Sequence, residues 1–151
     1  MFSLFSILKI IKAPKGLKAT LTHNFMVHKM ITKCNLIEPV TCSADISVFE
    51  AAKTLEKSKL RQLVVVEDDK PIGILSETDI VYKVVAQGKT PKDVLVKDIM
   101  NSPVTQADIK DKINDAYLTM AQQGIYSIPI VEDGKLKGIL SFNEALRHLA
   151  K

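Results

Sequence analysis

Cysteine and histidine are scarce and no apolar run is long, and each shortage removes a class of protein. The 151 residues hold two cysteines, Cys34 and Cys42, and three histidines. The cysteines lack CxxC spacing and only His23 and His28 precede them, irregularly, so two reduced thiols in a cytoplasmic protein are favoured over a zinc site. No histidine stands beside a serine or cysteine nucleophile, and no metal or redox constellation appears, so catalysis and a metal cofactor are not expected. The apolar opening Met1–Ile11 is broken by Lys9 and is shorter than the roughly 20 residues that span a bilayer. Basic residues follow that run instead of leading it, which argues against a cleaved signal peptide.

Charge of one sign is also missing from most of the chain. The net charge is +4, but Lys9, Lys12, Lys15, Lys18, Lys29 and Lys33 all precede the first acid, Glu38, and beyond them acids slightly outnumber bases. Mixed signs exclude a uniformly basic nucleic-acid surface there. The arm, residues 1–25, is open to three readings: a short amphipathic helix on an anionic membrane, a cap on the core, or no structure. Met26 and Met30 leave its place in the mature chain open.

What is present is a duplication. Gly73-Ile74-Leu75-Ser76-Glu77-Thr78-Asp79 returns 65 residues later as Gly138-Ile139-Leu140-Ser141-Phe142-Asn143-Glu144. Pro39-Val40-Thr41 likewise returns as Pro103-Val104-Thr105. Val48, Ala51, Ala52 and Leu55 have helical spacing, as do Ile113, Ala116, Tyr117 and Met120. Ser47 with Glu50 predicts a capping box. Apolar runs at 63–66 and 128–131 each precede an acidic turn, Asp68-Asp69 or Asp133-Gly134, a hairpin signal. A second helix is predicted from Glu77 to about Gln87 and another from Phe142 to about Ala150. The fold class is therefore α+β: tandem β-α-β-β-α repeats packed as a pseudo-twofold pair, residues 26–88 and 96–151, joined by a linker at 89–95. A unit of this size buries too little alone, so the two are expected to share a core.

Ser76 with Asp79, and Ser141 with Glu144, stand where strand turns into helix, and by default each pair is a capping box. The same place can receive a phosphate, with the acid accepting from a ribose diol. Gly73 and Gly138 leave room for close approach of a ligand or of backbone. Tyr126 is open to two readings, a half-buried strand residue or a platform for a base. His148 is expected to be exposed, and Lys110, Asp111 and Lys112 to be solvated.

Over about residues 26–150 the pattern resembles the CBS domain, two of which in tandem resemble a Bateman module. The Gly-h-x-Ser-x-x-Asp run, the Ser127-Ile128-Pro129-Ile130-Val131 strand and Val96-Lys97-Asp98-Ile99-Met100 carry the resemblance. It implies a non-enzymatic regulatory module that binds AMP or a related adenosyl ligand between the repeats. It implies one cleft of Ser76, Thr78, Asp79, Arg61 and Gln62 with Met100, Thr105, Tyr126, Ser127 and Ile128. A second, weaker one holds Ser141, Asn143 and Glu144 with Thr41, Arg61, Gln62 and Leu63, because Glu144 departs from Asp by a methylene. It also implies a homodimer, with Ile80, Val81, Val84 and Val85 as its interface. A regulated partner protein goes with this reading; the competing function is a protein-interaction or dimerisation scaffold without nucleotide binding.

Overall fold

The computed structural model describes residues 29–150; the arm with His23, and His28 beyond it, lie outside them. Each copy builds a three-stranded sheet, β1 (Thr41–Cys42), β2 (Gln62–Glu67) and β3 (Lys70–Ser76), then β4 (Ala107–Asp108), β5 (Ser127–Glu132) and β6 (Lys135–Ser141). In each sheet the short first strand runs parallel to the second, which pairs antiparallel with the third. The hairpins turn on two consecutive residues of positive φ, Asp68 and Asp69 in one and Asp133 and Gly134 in the other, the backbone that matches strand twist.

Helix α1 (Val48–Ser58) begins in the capping box that Ser47 and Glu50 predict. Its first free N–H groups are met by the linker: Val48 N–H donates to Val94 and Phe49 N–H to Pro91 carbonyls. Helix α4 (Ile113–Gln123) is its counterpart, with Ile113, Ala116, Tyr117 and Met120 all buried. The helix expected from Glu77 to Gln87 departs from regularity. It is α-helical only over α2 (Glu77–Ile80) and continues as a π-helix over Val81–Val85. The added residue per turn sends Val84 into the core and leaves Val81, Tyr82 and Val85 exposed, with Ile80 half-buried. Val84 is therefore not an interface residue.

The lead-in segments are exchanged. Residues ahead of the first copy, a 3-10 turn at Ile31–Lys33, place Ile31 among the buried side chains of the second copy. Helix α3 (Val96–Ile99), ahead of the second copy, places Val96 and Ile99 in the core of the first. Each lead-in also bridges the other copy's outer strand, Ile37 to Ile139 and Asn101 to Ile74. The expectation of one shared core is thus corrected: there are two apolar clusters, each completed by the other half's leader.

This exchange explains the repeated glycines. A Cβ on Gly73 would meet Met100 Sδ at 2.7 Å and the Asn101 carbonyl at 3.1 Å; on Gly138 it would meet Leu36 Cβ at 2.7 Å. The close approach is by the other half's lead-in, side chain and backbone together. Helix α5 (Phe142–Leu149) ends the described chain, and no helix among the described residues is long and apolar enough to cross a membrane.

Candidate functional site

Between the copies lies a cleft of about 760 Å³. Of the expected nucleotide residues, Ser76, Thr78, Arg61, Gln62, Thr105, Tyr126 and Ser127 line it. Its apolar wall comes from both copies, including Ile37, Val40, Val104, Ile125 and Pro129. Gln62 and Ser127, equivalent positions 65 residues apart, meet at the pseudo-twofold, the amide donating to the hydroxyl at 2.6 Å.

Four expected members, Ile128, Met100, Asp79 and Leu63 of the weaker set, do not line the cleft. Ile128 is buried in the second core and Leu63, expected in the weaker cleft, in the first. Strand alternation sends Ser127 and Pro129, or Gln62 and Val64, to the cleft and the residues between them inward. Met100 packs on the first core against Gly73.

Asp79 stands behind the lining, 8% exposed. Its Oδ2 accepts from Ser76 N–H at 2.9 Å, Ser76 Oγ at 2.7 Å and the Asn101 amide at 2.9 Å. Lys83 Nζ sits 2.9 Å from Oδ1 and also donates to the Ile99 carbonyl at 2.8 Å and Asn101 Oδ1 at 3.1 Å. Burial alone pushes this carboxyl up, but Lys83, Ser76 and Asn101 together hold it below the usual carboxylate range. The acid thus ties α2 to the lead-in of the second copy, through a residue, Asn101, that sequence reasoning did not single out.

Ser141 accepts from Glu144 N–H, but the Glu144 carboxylate leaves the expected box. Its Oε1 accepts from Asn35 N–H at 2.8 Å and meets His148 Nε2 at 3.0 Å, while Arg147 holds Oε2 at 2.9 Å. The Asn35 N–H, opposed by burial and aided by His148 and Arg147, lowers its pKa. His148 is half-buried, not exposed, because it packs one turn from Glu144. Of the weaker set, Arg61 and Gln62 line the main cleft and Thr41 a second cavity of about 630 Å³ near the hairpin turns; Ser141, Asn143 and Glu144 line neither. Tyr126 is 81% exposed just before β5, edge-on to Phe142 at 6.4 Å, so the half-buried reading is corrected.

The cleft's electrostatics are lopsided. Arg61 is the one cation lining it among the described residues, against Glu38 and Glu77. Its guanidinium is 88% exposed and only 3.8 Å from Glu77, a pairing of little energy that leaves it free to turn to an anion.

The model of the CBS domain matches residues 28–86 and 96–151. The chain belongs to the CBS domain family. It is 39% identical over 110 residues to protein MK0525 of Methanopyrus kandleri, covering 72% of this chain and 56% of that one. With the mitochondrial CBS domain-containing protein CBSX3 of Arabidopsis thaliana it shares 30% identity, over 70% of this chain and 54% of the relative. The chain thus spans about half the length of these curated relatives. Among solved structures, a hexameric CBS-CP12 protein from bloom-forming cyanobacteria superposes with a TM-score of 0.68 at 31% identity, covering 81% and 72% of the two chains. The CBS-domain protein ATU1752 of Agrobacterium tumefaciens gives 0.64 at 28%, covering 74% and 89%. The fold is a CBS pair, typical of regulatory ligand-binding modules.

Proposed function

We propose that this CBS pair is a non-enzymatic regulatory module that takes an adenine nucleotide in the cleft between its copies. The observation that carries the reading is a cleft with an apolar wall from both copies and the Ser76-Glu77-Thr78 turn at its edge. The base lies along the wall beside Tyr126, and the phosphate meets Arg61, Ser76 and Thr78. With one arginine against two carboxylates, a monophosphate is favoured over a triphosphate, because each added negative charge meets Glu38 and Glu77 unpaired. The sugar reaches Asp79 by displacing the Asn101 amide, and this loosens the lead-in of the second copy. Binding energy shifts the module only through that difference between states.

Isothermal titration of the full chain tests this. AMP should bind more tightly than ADP, and ADP more tightly than ATP. Asp79→Ala should weaken AMP by about 10- to 100-fold, the worth of hydrogen bonds to a charged group, whereas Asn101→Ala, which removes the competitor, should tighten it. No heat with any of the three at millimolar concentration ends the proposal. A homodimer and a regulated partner protein belong to the same proposal; Val81, Tyr82 and Val85 are exposed apolar side chains on one short helix. Sedimentation of wild type against Val85→Asp tests that face.

A further inference from the structure

The strongest unexplained cluster lies along α5, and none of its three residues lines the cleft. Cys34 Sγ, a Glu144 carboxylate oxygen and His148 Nε2 lie within 4.8 Å of one another. Glu144 and His148 share a helix face by their i, i+4 spacing, and Cys34 is delivered from the opposite end of the sequence by the exchanged lead-in. We infer that these three residues form a binding site for a zinc-class divalent cation, which staples the first copy's lead-in to the second copy's last helix.

The first copy provides the internal comparison. His148 occupies the place of Lys83, 65 residues earlier, as Glu144 does that of Asp79. There the Lys83 ammonium lies among oxygens of Asp79, Ile99 and Asn101 and joins helix to lead-in. The second copy keeps the acid, lengthened by a methylene, but replaces the fixed ammonium with an imidazole and faces it with a thiol. The position a built-in cation fills in one copy is surrounded in the other by three groups that ligate a metal.

Geometry and chemistry agree. A tetrahedral ion about 2.0–2.3 Å from its ligands places them about 3.3–3.7 Å apart. His148 Nε2 and Glu144 Oε1 are already 3.0 Å apart, so the ion replaces their hydrogen bond, and the sulfur, within 4.8 Å of both, closes in by at most about 1.5 Å. Thiolate, imidazole and carboxylate together select a borderline ion over calcium or magnesium. Arg147 on Oε2 and the Asn35 N–H fix the carboxylate as outer partners, and Lys29 Nζ holds the His148 carbonyl at 2.8 Å. Arg147 and Lys29 are the cations that oppose the ion; the thiolate and carboxylate outweigh them by direct ligation. The thiol proton leaves to solvent as the metal–sulfur bond forms, and three protein ligands leave a fourth position to water. Cys42 takes no part, since it is buried in the first core.

The test is titration of the chelator-stripped full chain with Co(II), without nucleotide, so that it stands apart from the cleft proposal. One Co(II) per chain, a thiolate charge-transfer band and displacement by Zn(II) are expected. Cys34→Ser and His148→Gln should each abolish the band; Cys42→Ser, and His23→Gln with His28→Gln, should keep it. Alongside, native wild type is alkylated with and without Zn(II) and read by peptide mass spectrometry. Selective protection of Cys34 is expected, which needs no variant to fold. No band in wild type, a band that survives Cys34→Ser, or equal alkylation of Cys34 with and without Zn(II) overturns the inference.

Discussion

Gly138→Ala sets two effects of opposite sign against each other. Glycine in a strand loses more freedom on folding than alanine, and on that ground alone the substitution stabilises by about 0.5–1 kcal/mol. The glycine has no positive φ to forbid a side chain. Against this, the new Cβ lands 2.7 Å from Leu36 Cβ, 3.2 Å from its Cδ1 and 3.3 Å from the Ile37 carbonyl. Leu36 Cβ is fixed to a backbone held by reciprocal hydrogen bonds between Ile37 and Ile139, both 2.9 Å, so it cannot swing away. Overpacking of this kind costs about 1–3 kcal/mol, so the net is a loss of about 0–2.5 kcal/mol. In a chain of this size each kcal/mol lowers the melting temperature by about 2–4 °C. Gly73→Ala should cost less, because its nearest neighbour is Met100 Sδ, the movable end of a flexible side chain. Urea and thermal unfolding of both variants measure this. A Gly138→Ala protein more stable than wild type, or a Gly73→Ala protein that loses more, refutes the argument that the glycines exist to admit the exchanged lead-ins.

Asp79 and Glu144 are both held below their ordinary values, so the folded chain binds fewer protons than the unfolded one as these groups titrate. Their contribution is therefore complete above the unfolded values of about 3.9 and 4.3 and is lost as pH falls through the lower folded ones; Asp79→Asn with Glu144→Gln should flatten that slope in urea melts. Gln62→Ala and Ser127→Ala should show a coupling of about 0.5–1.5 kcal/mol in a double-mutant cycle, since each removes the same hydrogen bond across the pseudo-twofold. Ser47→Ala should cost about 1 kcal/mol through loss of the α1 cap, and should leave nucleotide binding unchanged.

The local parts were legible because their causes are local. Ser47 and Glu50 announce α1, Asp133-Gly134 announces a hairpin, and Ile113, Ala116, Tyr117 and Met120 mark a buried face, all within a few residues of one another. What escaped depends on partners far along the chain. Nothing near Ile31 says that it completes the core of the second copy, and nothing near Asp79 says that Asn101 and Lys83 share its carboxylate. Ile128 and Leu63 were misplaced for a smaller reason: an apolar run does not reveal which of its alternate side chains faces a cleft. Tyr126 was misjudged because β5 starts one residue later.

The two acids make the same connection in different chemistry. Asp79 holds the lead-in of the second copy and Glu144 that of the first, so each acid sits in one repeat and secures a segment covalently joined to the other. A group that takes Asp79 Oδ2 competes with Asn101 for it, and Asn101 is joined by backbone hydrogen bonds to Ile74 at the edge of the first sheet. The first copy closes this joint with its own Lys83, a cation that is always present; the second closes it with Asn35, Arg147 and an imidazole, and leaves a thiol at its side. The duplication therefore produces two joints of unequal character. On the two proposals, one joint responds to a nucleotide in the cleft and the other to a metal at Cys34, Glu144 and His148, and the exchanged segments are what would carry either response into the neighbouring repeat.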